Sequence, residues 1–109
     1  MGRAEREKGS RAERAVASYL RDFGWEAETT RARTGTRRGD DIATDAPVSI
    51  EVKDQAKMDL SGWLRQAKEN CDGKIALVWH KKRGAASPSE WYVTLDGHDL
   101  MRLLEHAKG

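Results

Sequence analysis

The chain has 109 residues, of which 35% are charged and 38% hydrophobic, and its formal net charge at pH 7 is +2. This length suits a single domain with one modest core. The longest apolar run, residues 75–79, is far shorter than the roughly 20 residues of a membrane-spanning helix. We therefore expect a cytoplasmic protein without a membrane partner, and the single cysteine, Cys71, suits a reducing compartment.

Positive charge is concentrated in the first third of the chain. Residues 1–38 contain ten Lys and Arg against six Asp and Glu, whereas residues 39–109 contain ten against twelve. A basic segment followed by an acidic cluster is typical of a polyanion-binding surface around a metal site. Many ordinary domains show a similar imbalance, so the charge pattern alone favours no single function.

The predicted elements form one mixed α/β domain over residues 10–109, preceded by a flexible charged leader over residues 1–9. Apolar residues at three- and four-residue spacing predict helices over 10–23, 60–70 and 97–106. The predicted strands cover 25–30, 40–45, 48–53, 74–80 and 90–95. The order is therefore αβββαββα, and the continuous apolar character of 74–80 predicts a central strand.

The predicted strand 48–53 carries an unusual pair of charges. Glu51 and Lys53 are two residues apart, so they share one face of the strand. If strands 40–45 and 48–53 form a hairpin that turns at Ala46, Asp41 lies directly across from Glu51, and Asp40 points to the other face. Two carboxylates at about 4 Å repel by on the order of 4 kcal/mol at an effective dielectric of 20. A divalent cation, a shared proton or Lys53 must offset this repulsion, unless the hairpin is simply solvated.

Glu13 lies at the margin of the apolar stripe of the first predicted helix. One explanation is structural, because Ser10-x-x-Glu13 matches a capping box at a helix start. The other is a role in a metal site. Both hold together if the start of this helix adjoins the hairpin.

Residues 9–55 resemble a known nuclease family. The string GSRAER at 9–14, followed by Leu20 and Gly24-Trp25, is similar to the opening helix of archaeal-type Holliday-junction resolvases, which belong to the PD-(D/E)xK nuclease superfamily. The resemblance continues through the Thr/Gly/Arg loop at 31–39, Asp41-Ile42-Ala43 and Glu51-Val52-Lys53. Asp40 stands where the superfamily motif has proline.

The resemblance implies a restriction-endonuclease-like mixed β-sheet flanked by helices. It also implies a Mg²⁺-dependent endonuclease, with Mn²⁺ as a substitute, that works as a homodimer without an organic cofactor and resolves four-way junctions in DNA. The implied catalytic residues are Glu13, Asp41, Glu51 and Lys53. Gln55, the next residue on that strand face, is a further catalytic candidate for contact with the phosphate or the water, and its alternative is a surface amide. The implied metal ligands are Glu13, Asp41, Glu51 and a main-chain oxygen near Val52.

A further set of side chains is expected to bind branched or duplex DNA through its phosphates, because these side chains are cationic or can donate hydrogen bonds. Each has an alternative explanation as a solvated surface residue. The set is Arg31, Arg33, Thr34, Thr36, Arg37, Arg38, Lys57, Arg65, Gln66, Lys81, Lys82 and Arg83.

Two other functions stay open from the sequence. The first is another nuclease of the same superfamily that acts on linear, flap or end DNA in phage replication, repair or restriction. The second is a nucleic-acid-binding module whose nuclease site is inactive, against which the complete Glu/Asp/Glu-x-Lys set argues. The small size fits an enzyme encoded by a phage or a mobile element.

Overall fold

The computed structural model describes residues 3–34 and 39–109 and confirms a mixed α/β fold. The helices of this part are α1 (Arg3–Asp22), α2 (Thr30–Thr34), α3 (Leu60–Glu69) and α4 (Gly97–Lys108). The strands are β1 (Ala27–Thr29), β2 (Ile42–Thr44), β3 (Val48–Lys53), β4 (Ile75–His80) and β5 (Tyr92–Thr94), and a short 3-10 turn, Pro88–Glu90, precedes β5. None of the helices in the described residues combines the length and the apolar composition needed to cross a membrane.

Strand β4 lies at the centre of a three-stranded sheet, as its apolar sequence predicts. It pairs in parallel with β3 and antiparallel with β5, so the strand order is β3-β4-β5. A parallel pair needs a crossover connection, and α3 supplies it between β3 and β4. The other edge of β3 is not part of this sheet's pairing, and the candidate site lies along it.

Helices α1 and α3 cover opposite faces of this sheet. On one face, Ile50 of β3 belongs to the same buried cluster as Val16 of α1. On the other face, Val78 of β4 packs with Trp63 of α3. Glu51 is paired in register with Val78, so its side chain lies on the α3 face.

The predicted hairpin over residues 40–53 is wrong. Strand β2 pairs antiparallel with β1, with Glu28 opposite Ala43, and the two form a separate two-stranded sheet. The carboxylate of Asp45 accepts a hydrogen bond from the Glu26 main-chain N–H at 3.0 Å, which ties the end of β2 to the segment before β1. The expected single mixed sheet is therefore divided into two.

Helix α1 begins at Arg3, so residues 3–9, which the sequence predicts as a flexible leader, are helical. The capping box predicted at Ser10 is wrong, because an N-cap residue must lie at the start of a helix and Ser10 lies well inside this one. The Ser10 hydroxyl instead accepts a hydrogen bond from Arg14 Nη1 at 2.9 Å. Capping therefore does not explain Glu13.

Helix α2 adds an element that the sequence pattern does not predict. Thr29 Oγ1 accepts a hydrogen bond from the main-chain N–H of Ala32 at 3.1 Å and so caps the start of this helix. Five residues are too few to show an apolar period, which is why the segment reads as a loop. The predicted order αβββαββα matches the chain only when this short helix is left out.

Candidate functional site

A cleft of about 680 Å³ opens along the free edge of β3. The N-terminal half of α1 and the C-terminal half of α3 both contribute to its walls, and the end of β3 lies between them. Asp41, Glu51 and Lys53, three residues that the sequence groups into one site, all line this cleft.

Main-chain hydrogen bonds hold Asp41 against the free edge of β3. Its N–H donates to the carbonyl oxygen of Ile50 at 2.9 Å, and its Oδ2 accepts from the N–H of Val52 at 2.8 Å. The proximity of Asp41 to Glu51 that the hairpin argument predicts is therefore found, but through two isolated hydrogen bonds and not through a strand ladder. Both carboxylates are buried, with exposed fractions of 4% for Asp41 and 2% for Glu51.

Burial of this pair changes the acidity of Glu51. Desolvation raises the pKa of the Glu51 carboxyl to about 7, and repulsion from Asp41 and a hydrogen bond with its carboxylate add to the shift. The hydrogen bond from Asn70 and the charge of Lys53 oppose it. Near neutral pH, a proton on Glu51 therefore offsets the repulsion between the two carboxylates.

Two amides of α3 hold the two charged side chains of β3. Asn70 Nδ2, at the C-terminal cap of α3, donates to Glu51 Oε1 at 2.9 Å, and Lys53 Nζ donates to Gln66 Oε1 at 2.9 Å. Four helical residues rise about 6 Å and two strand residues rise about 6.6 Å, so the two pairs match in spacing. Gln66 is predicted from the sequence as a DNA contact, whereas Asn70 is not predicted as a site residue, although it lies one helical turn after Gln66.

Glu13 is buried, with an exposed fraction of 2%, but it lies outside the lining of the cleft. It follows Gly9, which does line the cleft, by one helical turn of α1. In residues 3–34 and 39–109, no group of three or more His, Cys, Asp or Glu side chains is arranged to hold a metal ion. The structure thus groups Asp41 with Glu51, and the role of Glu13 as a ligand stays a prediction.

The main chain of Val52 faces the same edge of β3 as Asp41. Its N–H points toward Asp41, and the N–H and C=O of one strand residue point to the same side. The Val52 carbonyl oxygen therefore faces the free edge of β3. Gln55, the next candidate, is exposed and lines the same cleft.

The residues predicted to bind DNA are scattered in the structure. Gln66 lies in the cleft, and Arg31 lines a separate groove beside α1. Lys81 Nζ lies 3.9 Å from Asp54 Oδ2, whereas the remaining described candidates are exposed and line neither recess: Lys57, Arg65, Lys82 and Arg83. The side chains of Arg33 and Thr34, and the residues Thr36, Arg37 and Arg38, lie outside the described part of the chain.

Comparison of the chain with protein-family models, with curated proteins and with solved structures finds no match. The resemblance to Holliday-junction resolvases therefore remains a prediction that rests on the motif residues.

The paired carboxylates have the chemistry that a hard divalent cation requires. Mg²⁺ binds carboxylate oxygens and keeps several waters, for which the cleft offers room beside Asp41 and Glu51. Burial is the main cause of the raised pKa of Glu51, and the repulsion from Asp41 that adds to it is one that a dication would relieve. The residues present therefore fit Mg²⁺.

The raised pKa of Glu51 predicts that Glu51→Gln stabilises the fold at high pH. The folded state keeps this proton up to about pH 7, whereas an unperturbed glutamate loses it near 4.5, so this contribution to the free energy of unfolding is lost as pH rises from 4.5 to about 7. Glutamine imitates the protonated side chain and keeps an acceptor for Asn70. Between about pH 4.5 and 7.5, without divalent ions, urea unfolding should show Glu51→Gln gaining about 3 kcal/mol relative to the wild type.

The pH-dependent stability contributions of other groups with shifted pKa values cancel when Glu51→Gln is compared with the wild type. Burial lowers the pKa of His80, which acts on stability with the opposite sign below pH 6.5, but it does so equally in both proteins. A stability difference that stays constant over this pH range would contradict the buried pair.

The variant Asn70→Ala tests whether the Asn70 amide orients the Glu51 carboxylate for metal binding. Without the hydrogen bond, the Glu51 carboxylate loses its orientation, and such partners of metal ligands typically account for about 10- to 100-fold in affinity. The rise in melting temperature with added Mg²⁺ should therefore need about tenfold more ion than in the wild type. Ser61→Ala, on the exposed face of the same helix, should leave the Mg²⁺ response unchanged. Equal responses of the two variants would show that Asn70 does not orient a ligand.

Proposed function

We propose that this chain is a Mg²⁺-dependent endonuclease that hydrolyses phosphodiester bonds in four-way DNA junctions. The observation that supports the proposal best is the buried Asp41–Glu51 pair beside Lys53, in a cleft that also holds cationic side chains of α1. Buried like charges with one raised pKa favour a functional site over a structural one, because they destabilise a fold that has no use for them.

In this proposal Asp41, Glu51 and the carbonyl oxygen of Val52 hold the ion, and Glu13 remains a predicted contributor. When bound, a divalent ion polarises the scissile phosphate and lowers the pKa of a water molecule. Mn²⁺ would act as a substitute, since it accepts the same oxygen ligands.

Lys53 has the second role in the proposed chemistry. Its ammonium group is held by Gln66 in the cleft lining, on the same strand face as Glu51. From there it stabilises the negative charge that develops on the phosphate oxygens. Gln55, exposed in the same cleft, orients the phosphate or the attacking water.

The wall of the cleft favours a nucleic acid as substrate. Arg6 and Lys8 of α1 line the same recess as Asp41 and Glu51, although Glu5 of α1 and Asp54 line it too, so two cations of α1 adjoin the acidic centre. This distribution suits a phosphate backbone that crosses a metal site. The preference for four-way junctions rests on the resemblance, as does the homodimer, which two nicks on opposing strands require.

Two alternatives use the same cleft. A related nuclease that acts on linear, flap or end DNA would need the same residues. A nucleic-acid-binding module with an inactive site is favoured by one observation, namely that Glu13 lies outside the cleft lining.

Cleavage of a synthetic four-way junction in Mg²⁺ tests the proposal. We expect the wild type to nick it, and Asp41→Asn or Glu51→Gln to lose about 100-fold or more in rate, because each removes a carboxylate ligand. Binding in Ca²⁺ should remain, since neither residue grips the backbone. Glu105→Gln on α4, an isosteric change outside the cleft, is the matched control and should cut normally.

The outcomes separate the three functions. Normal cutting by both cleft variants would refute the site. Cleavage of linear or flap DNA, with none of the junction, would support the related nuclease. DNA binding with no cleavage, and with no heat of Mg²⁺ or Mn²⁺ binding, would support the inactive module.

A further inference from the structure

A second groove, of about 430 Å³, lies along the N-terminal half of α1. Four of its lining residues are arginines and one is acidic. The lining consists of Arg6, Arg11, Arg14, Arg31, Ser10 and Glu7. Since Glu7 Oε1 accepts from Arg3 Nε at 3.1 Å, its charge is already partly offset, and the groove is strongly cationic.

This groove is continuous with the cleft through one side chain. Arg6 lines both recesses, so a ligand that leaves the cleft along α1 enters the groove beside Arg6. The acidic centre at Asp41 and Glu51 and the cationic groove therefore belong to one surface.

Two of the four arginines lie on one stripe of α1, with a serine between them. Arg6, Ser10 and Arg14 are spaced four residues apart, which places them along one face over about 12 Å. Arg14 Nη1 donates to Ser10 Oγ at 2.9 Å, so its guanidinium lies along this stripe. A strand in a B-form duplex carries one phosphate per about 3.4 Å of axis, so the stripe is long enough for three to four phosphates.

We propose that this groove binds the phosphate backbone of a DNA strand as it leaves the cleft, with Arg6 and Arg11 as principal contacts because the Arg14 guanidinium already donates to Ser10. The inference rests on the proposed nuclease function, because the same strand has its scissile phosphate at Asp41 and Glu51. Guanidinium groups match phosphates with two parallel hydrogen bonds, which makes arginine the suited side chain. Backbone contacts of this kind position a strand without reading its sequence.

The proposed contacts with the DNA backbone therefore lie on α1. The DNA contacts predicted from the sequence lie mainly in the loop at 31–39 and among later lysines and arginines. Of those in the described residues, only Arg31 lines the groove. The sequence does not predict this stripe, because Arg6 falls in the segment 1–9 that was expected to be a flexible leader and not a helix.

Binding of a labelled four-way junction in Ca²⁺, measured by fluorescence anisotropy from 50 to 250 mM KCl, tests the groove. Each phosphate contact contributes about 0.9 to the slope of log affinity against log salt. Arg6→Ala and Arg11→Ala should each lower that slope by about 1 and weaken binding about three- to tenfold, equally for unrelated sequences. The charge-matched control is Lys108→Ala at the exposed end of α4, which should keep the wild-type slope.

Two readouts separate this inference from the proposed function. Thermal melting verifies that the variants stay folded, and cleavage by the wild type in Mg²⁺ verifies the nuclease. If the wild type cuts but the Arg6→Ala/Arg11→Ala double variant binds like Lys108→Ala, the groove inference is wrong and the nuclease stands. If the wild type binds no DNA, both are wrong.

Discussion

The repulsion between two buried carboxylates, Asp41 and Glu51, is the constraint on which the candidate site depends. Neighbouring groups hold both carboxylates in place. The main chain of β3 fixes Asp41 through the Val52 N–H, and the Asn70 amide fixes Glu51. A proton, retained because burial raises the pKa of Glu51 to about 7, offsets the remaining repulsion. Two like charges buried side by side destabilise a fold, so their presence favours a chemical use.

The architecture explains how one cleft collects opposite charges. Because β3 is an edge strand between two helices that cover opposite faces of its sheet, its free edge meets both of them. Along α3, Gln66 and the cap residue Asn70 have the spacing of Lys53 and Glu51 on β3. The N-terminal half of α1 adds two cations to the cleft. The carboxylates and the cations of α1 therefore share one cleft because the free edge of β3 lies between the two helices.

The sequence predicted the parts of the fold that have a strong local signal. The bounds of β3 and the central place of β4 follow from apolar periodicity and are confirmed. The hairpin failed because the Ala46-Pro47 turn says where the chain bends, but not that β2 finds its partner in β1. Asp41 still reaches Glu51, through main-chain bonds that no side-chain pattern encodes. Asn70 was missed for a similar reason, since its partner lies nineteen residues away in the chain.

Calorimetric titration of the wild type with Mg²⁺ at pH 6.5, in two buffers of different ionisation enthalpy, shows whether the ion binds between Asp41 and Glu51. A metal ligand must lose its proton, so an ion that binds between Asp41 and Glu51 releases the proton that Glu51 holds. With a pKa of about 7 for Glu51, about 0.8 protons should be released per ion by the wild type, and none by Glu51→Gln. Binding of Mg²⁺ without proton release, or no binding at all, would contradict a metal site formed by this pair.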